Sequence, residues 1–215
     1  MLSKVLIIDK RVELPIKYKK SIDNEETSAI IANNINLALK LIQKEEPDII
    51  IISDSIDESL PDFCRRLRTL TINIRPIIVA LSKSADANDR IETLESGADD
   101  FLSEPVNIEE FKSRIQAHLR RDVESNLDSK TLLPNKKITE KSLKRMLNSE
   151  LRHAVLLVEI RDLDGYKSIY TEVAADKLVQ TFIAITHSAM ETGDFLGQLG
   201  DNRFVIITNI YKAEK

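Results

Sequence analysis

Short apolar runs recur along the first half of the chain, at Val5 to Ile8, Ser28 to Ala32, Ile49 to Ile52 and Ile77 to Leu81. Each is followed by a longer stretch whose apolar residues fall three or four positions apart, the spacing of one helix face. Continuous apolar strands alternating with amphipathic helices predict a parallel sheet, because such strands must bury both faces under helices. Local chemistry marks the helix starts. Asn33-Asn34 precedes Ile35, Leu37, Leu41 and Ile42, and Pro47 closes that stretch. Asn107, with Glu110 three residues on, resembles a capping box opening the helix of Phe111, Ile115 and Leu119.

From Asp122 to Lys130 the sequence is charged and loses apolar periodicity, which sets a domain boundary. The organisation expected is residues 1–122, a helical linker over 123–130, and a second domain over 131–215. In that second part Lys136 to Glu150 predicts a helix, Ala154 to Ile160 a buried strand, and Ala174 to Met190 another helix. Phe195 to Leu199 and Arg203 to Thr208 flank Gly200-Asp201-Asn202, a composition suited to a hairpin turn. The second half is therefore α/β with an antiparallel element.

Composition narrows the chemistry. At 215 residues the chain forms one large domain or two small ones, and its net charge of −4 is spread along the length without a basic face. Nucleic acid is not an expected partner. Cys64 is the single cysteine, which rules out an intramolecular disulfide and cysteine-cluster metal sites and suits a reducing cytoplasm. Nothing approaches the ~20 apolar residues of a spanning helix, and Met1 to Asp9 lacks a signal peptide's apolar core, so no membrane partner is expected. His118, His153 and His187 lie far apart, without metal-ligand spacing.

Four stretches together carry a resemblance: Val5-Leu6-Ile7-Ile8-Asp9, Pro47-Asp48-Ile49-Ile50-Ile51-Ile52, Pro76 to Ser82, and Gly97-Ala98-Asp99-Asp100-Phe101-Leu102-Ser103-Glu104-Pro105. In order and spacing they resemble response-regulator receiver domains. The resemblance implies a flavodoxin-like sheet of five parallel strands with a phosphorylation pocket at the strands' carboxyl ends. It implies an acceptor Asp, further acids holding Mg²⁺, a hydroxyl, and a Lys meeting the phosphoryl oxygens. Asp9 keeps the first acid and Ser82 the hydroxyl. Lys10 stands in place of the second acid, Ser53 in place of the acceptor, and Glu104 in place of the lysine. A serine hydroxyl is a poor nucleophile without a base, and a cation at Lys10 opposes a divalent metal. Asp54 is the rival acceptor, although strand alternation points it away from the pocket that Ser53 faces, unless the strand has already ended. Lys10 and Glu104 exchange the charge types expected at their positions. Either they form a salt bridge with Asp9 that replaces the metal and holds the pocket shut, or they are unrelated solvent-facing charges.

Asp128-Ser129-Lys130-Thr131-Leu132-Leu133-Pro134-Asn135-Lys136 resembles the opening of GGDEF domains, the diguanylate cyclase fold that condenses GTP into cyclic di-GMP with two-metal chemistry. By that resemblance Glu159-Ile160-Arg161 stands for Asp-Ile-Asp, and Gly200-Asp201-Asn202-Arg203-Phe204 for Gly-Gly-Asp-Glu-Phe. Glu159 keeps one carboxylate. Arg203 and Asn202 replace the hairpin's acids, and a guanidinium cannot ligate Mg²⁺. Asp201 adds bulk and charge where a glycine admits phosphate. Lys167 takes a base-contacting Asn position, Asp176 is retained, and Glu191 with Asp194 marks an inhibitory site without its arginine. The chain also stops soon after the hairpin, an expectation of a partial domain with one flank of its sheet bare.

The leading expectation is thus a non-catalytic signalling protein with altered receiver and GGDEF sites, needing no cofactor. It would act through a protein partner or a homodimer formed by the receiver, over about Ala85 to Ser96, Asp100 to Leu102 and Asn107 to Arg121. The alternative is a phosphorylation-controlled diguanylate cyclase using Mg²⁺ and GTP.

Overall fold

The computed structural model describes residues 3–71, 75–147 and 152–211. Contacts divide the chain into two compact units between Arg121 and Asp122.

In the first unit five strands, β1 (Ser3–Ile8), β2 (Thr27–Ala32), β3 (Ile49–Ser53), β4 (Ile77–Ser82) and β5 (Asp100–Ser103), pair in parallel in the order β2-β1-β3-β4-β5. Helices α1 (Glu13–Ile22), α2 (Ile35–Glu45), α3 (Leu60–Leu70), α4 (Ala87–Glu95) and α5 (Ile108–Ser125) alternate with them. This is the flavodoxin-like α/β fold.

Strand alternation sends the continuous apolar runs to two separate cores. Ile50, Ile52, Ile78 and Ala80 join Ala38 and Ile42 of α2 and Phe63 and Leu67 of α3. Ile49, Ile51, Val79 and Leu81 join Tyr18 and Ile22 of α1 and Phe111 and Ile115 of α5. Asn34 caps α2 by accepting from the Leu37 amide. Asn107 accepts from the amides of Glu109 and Glu110, but the Glu110 carboxylate accepts from Arg114 Nε instead of turning back to complete a capping box. α5 ends at Ser125, so the helical linker expected to Lys130 is replaced by a turn in which Leu127 bridges Pro134.

The second unit contains α6 (Lys136–Leu147), β6 (His153–Glu159), α7 (Leu163–Ile169), α8 (Glu172–Ala189), β7 (Phe195–Gly200) and β8 (Arg203–Asn209). Its strands form a separate antiparallel sheet in the order β6-β8-β7. The end of the helix expected from Lys136 to Glu150, residues 148–150, lies outside the described residues, and α7 had no clear periodic signal. Leu133, Leu163, Val179, Leu196 and Phe204 form this unit's core. The strand expected to be buried, Ala154 to Ile160, is instead β6 at the sheet edge, with Leu157 65% exposed, because among the described residues only β8 pairs with it. The hairpin turn is the two residues Asp201-Asn202, with Gly200 already opposite Arg203 after an irregularity at Gln198.

Candidate functional site

At the carboxyl ends of β1, β3 and β5 a closed ionic network fills the expected pocket. Asp9, fully buried, accepts at Oδ1 from the Arg11 amide and Nε, both at 2.9 Å, and from Ser55 Oγ at 2.8 Å. Its Oδ2 accepts from Arg11 Nη2 at 2.7 Å. The same guanidinium reaches across to β5, where Nη1 and Nη2 donate to the Glu104 carboxylate at 2.5 and 2.8 Å. Arg11 Nη2 also donates to Ser53 Oγ at 2.8 Å, and Tyr18 Oη donates to Glu104 at 3.1 Å. A planar fork of donors thus satisfies two carboxylates at once, a geometry that a lysine ammonium does not offer. The hydrogen bonds to Asp9 and then Glu104 hold Arg11 even more firmly protonated than usual, against the opposing effect of burial. Burial, followed by the Glu104 charge, pushes the Tyr18 hydroxyl above its ordinary range.

Arg11, not Lys10, therefore bridges Asp9 and Glu104. β1 ends at Ile8 and the chain bends at Lys10, leaving Asp9 and Arg11 in the network while Lys10 pairs with the exposed Asp57. The salt bridge anticipated for Lys10 is corrected on that point.

Ser53, Asp54 and Ser82 do not share one pocket. Ser53 is opposite Leu81 in the β3–β4 register and lies on the α1 and α5 side. Ser82, one residue on, turns to the other side, where Asp54 Oδ2 accepts from Ser82 Oγ at 3.0 Å and from the Lys83 amide at 2.6 Å. Those two residues line a cleft of about 310 Å³ together with Glu58, Asp89, Glu92 and Thr93. β3 ends at Ser53, and Asp54, the first residue of the turn that follows, points away from the Ser53 pocket and accepts from the Ser82 hydroxyl. Mg²⁺ needs near-octahedral oxygen ligation. Asp9 already has both oxygens engaged by Arg11 and Ser55, and the described residues contain no group of three or more metal-binding side chains. The residues present do not fit a Mg²⁺ site.

In the second unit a cleft of about 460 Å³ brings together Lys130, Lys167, Asp176, Lys177, Gln198 and Asp201. Lys130, which the sequence did not single out, pairs with Glu172 at 2.7 Å and with Asp176 at 3.5 Å, so Asp176 faces a cation of its own chain. Lys167 pairs with Asp164 at 3.5 Å. Glu159, Arg161, Gly200, Asn202 and Arg203 lie outside this lining, around the tip of the β7–β8 hairpin and the end of β6. There Asn202 Nδ2 donates to Glu159 Oε1 at 3.4 Å and to the Ile160 carbonyl at 3.3 Å, while Arg203 stands opposite Glu159 in register. Asp194 accepts from the Glu191 amide at 2.9 Å and from Thr208 Oγ1 at 2.8 Å, which makes the Glu191–Asp194 segment a turn tied to β8.

Comparison with known proteins agrees with this division. The response regulator receiver domain family matches residues 5–116, and the diguanylate cyclase GGDEF domain family matches residues 125–215. The alkaline phosphatase synthesis transcriptional regulatory protein PhoP of Bacillus subtilis (strain 168) is 24% identical over 202 residues, covering 91% of this chain and 75% of that protein. Response regulator MprA of Mycobacterium leprae (strain TN) is 28% identical over 123 residues, covering 55% of this chain, which spans about half (51%) of that relative. Among solved structures, a two-component response regulator from Clostridium difficile is 27% identical with a TM-score of 0.52, over 56% of this chain and 98% of that one. The receiver domain of a putative Luxo repressor protein from Vibrio parahaemolyticus shares the fold, at 22% identity and a TM-score of 0.52, over 56% and 92% of the two chains.

Proposed function

The chain belongs to the response regulator receiver family, with a GGDEF domain following, and from that premise we propose that it relays signals through protein surfaces without accepting phosphate or making cyclic di-GMP. Receiver and GGDEF domains together indicate two-component signalling with a diguanylate cyclase-type domain. The observation carrying the finer reading is Arg11, whose guanidinium ties Asp9, Ser53 and Glu104 together where phosphoryl chemistry needs a metal and an acceptor carboxylate. A fixed internal cation there makes the pocket a structural clasp. In the second unit, Asn202 beside Glu159 and Arg203 opposite it leave one carboxylate where two-metal chemistry needs several. On this reading neither Mg²⁺ nor GTP is a cofactor, and the output is a protein partner or a homodimer formed through α4, β5 and α5. A reducing cytoplasm suits the buried thiol of Cys64.

One observation favours the competing reading of a phosphorylation-controlled cyclase: Asp54 lies in an open cleft beside the Ser82 hydroxyl. The four carboxylates of that cleft, Asp54, Glu58, Asp89 and Glu92, oppose a phosphoryl dianion. Intact-mass measurement of the full chain after incubation with acetyl phosphate and Mg²⁺, and chromatography after incubation with GTP and Mg²⁺, test both chemistries. Unchanged mass and unreacted GTP are expected. A stoichiometric adduct on Asp54, or a product that disappears in Glu159→Gln, overturns the proposal.

A further inference from the structure

α4 is the least anchored helix of the first unit. The other helices each bury apolar side chains in the sheet's two cores, Tyr18 and Ile22 from α1, Ala38 and Ile42 from α2, Phe63 and Leu67 from α3, Phe111 and Ile115 from α5. In α4 the buried residue is Thr93, Leu94 packs only partly on the core, and residues 85–92 are exposed, Ile91 by 52%. A helix of nine residues is not stable in water by itself and ordinarily depends on a packed apolar face.

α4 is held instead by a polar relay that starts at Asp54. Asp54 Oδ2 accepts from the Ser82 hydroxyl at 3.0 Å and from the Lys83 amide at 2.6 Å. Ser82 Oγ accepts in turn from the Ser84 amide at 3.0 Å. Ser84 Oγ accepts from the Asp86 amide at 3.1 Å and donates to Asp89 Oδ2, in the first turn of α4, at 2.5 Å. Asp86 then caps the helix by accepting from the Asn88 amide at 2.8 Å. The relay works against charge. Asp89 and Glu92 of α4 line the same cleft as Asp54 and Glu58. Arg66 holds Glu58 at 2.7 Å, but Arg65 approaches Glu92 only to 4.0 Å. Like charges around an open cleft push the helix outward, and hydrogen bonds to an ionised acceptor are the strong links that oppose this.

We propose that Asp54 is a latch: its carboxylate fixes the β4–α4 loop, and α4 opens as a local unit, ahead of the sheet, when that carboxylate no longer accepts from Ser82 and Lys83. Asp54 is thereby a positioning residue that acts through the loop. α4 belongs to the face proposed above for pairing, so the regulatory consequence, that the latch sets how this face is presented, rests on that reading. The latch itself does not.

Native-state hydrogen exchange of the full chain, with no phosphodonor present, tests it. In the wild-type chain the α4 amides should exchange about tenfold or more faster than those of β1 and β3, through local opening. Asp54→Ala should speed α4 exchange by a further ~tenfold or more and leave β1 and β3 within about twofold. Asp54→Asn keeps an oxygen for the same two donors and removes one of the cleft's like charges, so its effect should be about threefold or less. Ser84→Ala interrupts the relay midway and should loosen α4 selectively, which keeps the test open if Asp54→Ala does not fold. Glu58→Gln, in the same cleft but outside the relay, should leave α4 unchanged. Equal effects of Asp54→Ala and Asp54→Asn, loosening of β1 and β3 as large as that of α4, or wild-type α4 amides that exchange only together with the sheet, would each overturn the latch. A phosphate adduct on Asp54 in the separate acetyl phosphate incubation overturns the proposed function instead, so the two failures are distinct.

Discussion

Replacing Arg11 by Met tests whether the guanidinium is structural. Its contacts to Asp9 and Glu104 are 2.7 and 2.5 Å long. At an effective dielectric constant of ~20 each pair has a gross attraction of roughly 6 kcal/mol, much of which desolvation cancels. Removing the arginine does not return the carboxylates to water, because the Asp9 side chain is 0% exposed and that of Glu104 only 5%. Breaking such a pair costs about 3–5 kcal/mol, and since Arg11 itself is 20% exposed, solvent moderates the loss to about 3 kcal/mol. Adding Glu104→Gln removes one of the stranded charges, so the double variant should lose less than the sum of the single ones, with a coupling of about 1.5 kcal/mol or more. Lys10→Met is the contrast. Its Asp57 partner is 75% exposed, and the cost should stay below ~0.5 kcal/mol. Urea unfolding, with hydrogen-exchange protection of β1 and β3 reporting the first unit separately from the second, measures all four proteins. If Arg11→Met and Lys10→Met cost the same, or the double variant is additive, the clasp does not exist as described.

Two further outcomes follow from the packing of the first unit. Burial raises the Asp100 carboxyl, but the hydrogen bond from His118, the Phe101 amide and the Arg114 charge outweigh it and hold the group below its ordinary value. A depressed carboxyl contributes stability that is present above the unfolded value of ~3.9 and lost as pH falls through the folded one, so Asp100→Asn should flatten the acid limb of stability against pH; an unchanged limb counts against this pairing. Burial pushes the Cys64 thiol up to about 11, so it should react with a disulfide reagent only as fast as the unit opens and at full rate in urea; prompt labelling of the native chain would contradict the core placement.

β1, β3 and β4 are legible because each is buried on both faces and writes an apolar run, whereas β5, Asp100–Ser103, writes none and is expected only from the receiver resemblance. Which strand-end residues converge was only partly legible. Asp54 and Arg11 lie beyond the ends of β3 and β1, in a turn and after a bend, so alternation within a strand does not by itself fix where they point. The separation of Ser82 from Ser53 depends on β4 lying with Leu81 opposite Ser53, a fact about register between strands that neither run contains alone. The second unit shows the converse. The apolar run of β6 predicts a buried strand. Among the described residues β8 alone pairs with it, and Val155 to Leu157 are exposed. Hydrophobic pattern reports what a segment must bury, not what covers it.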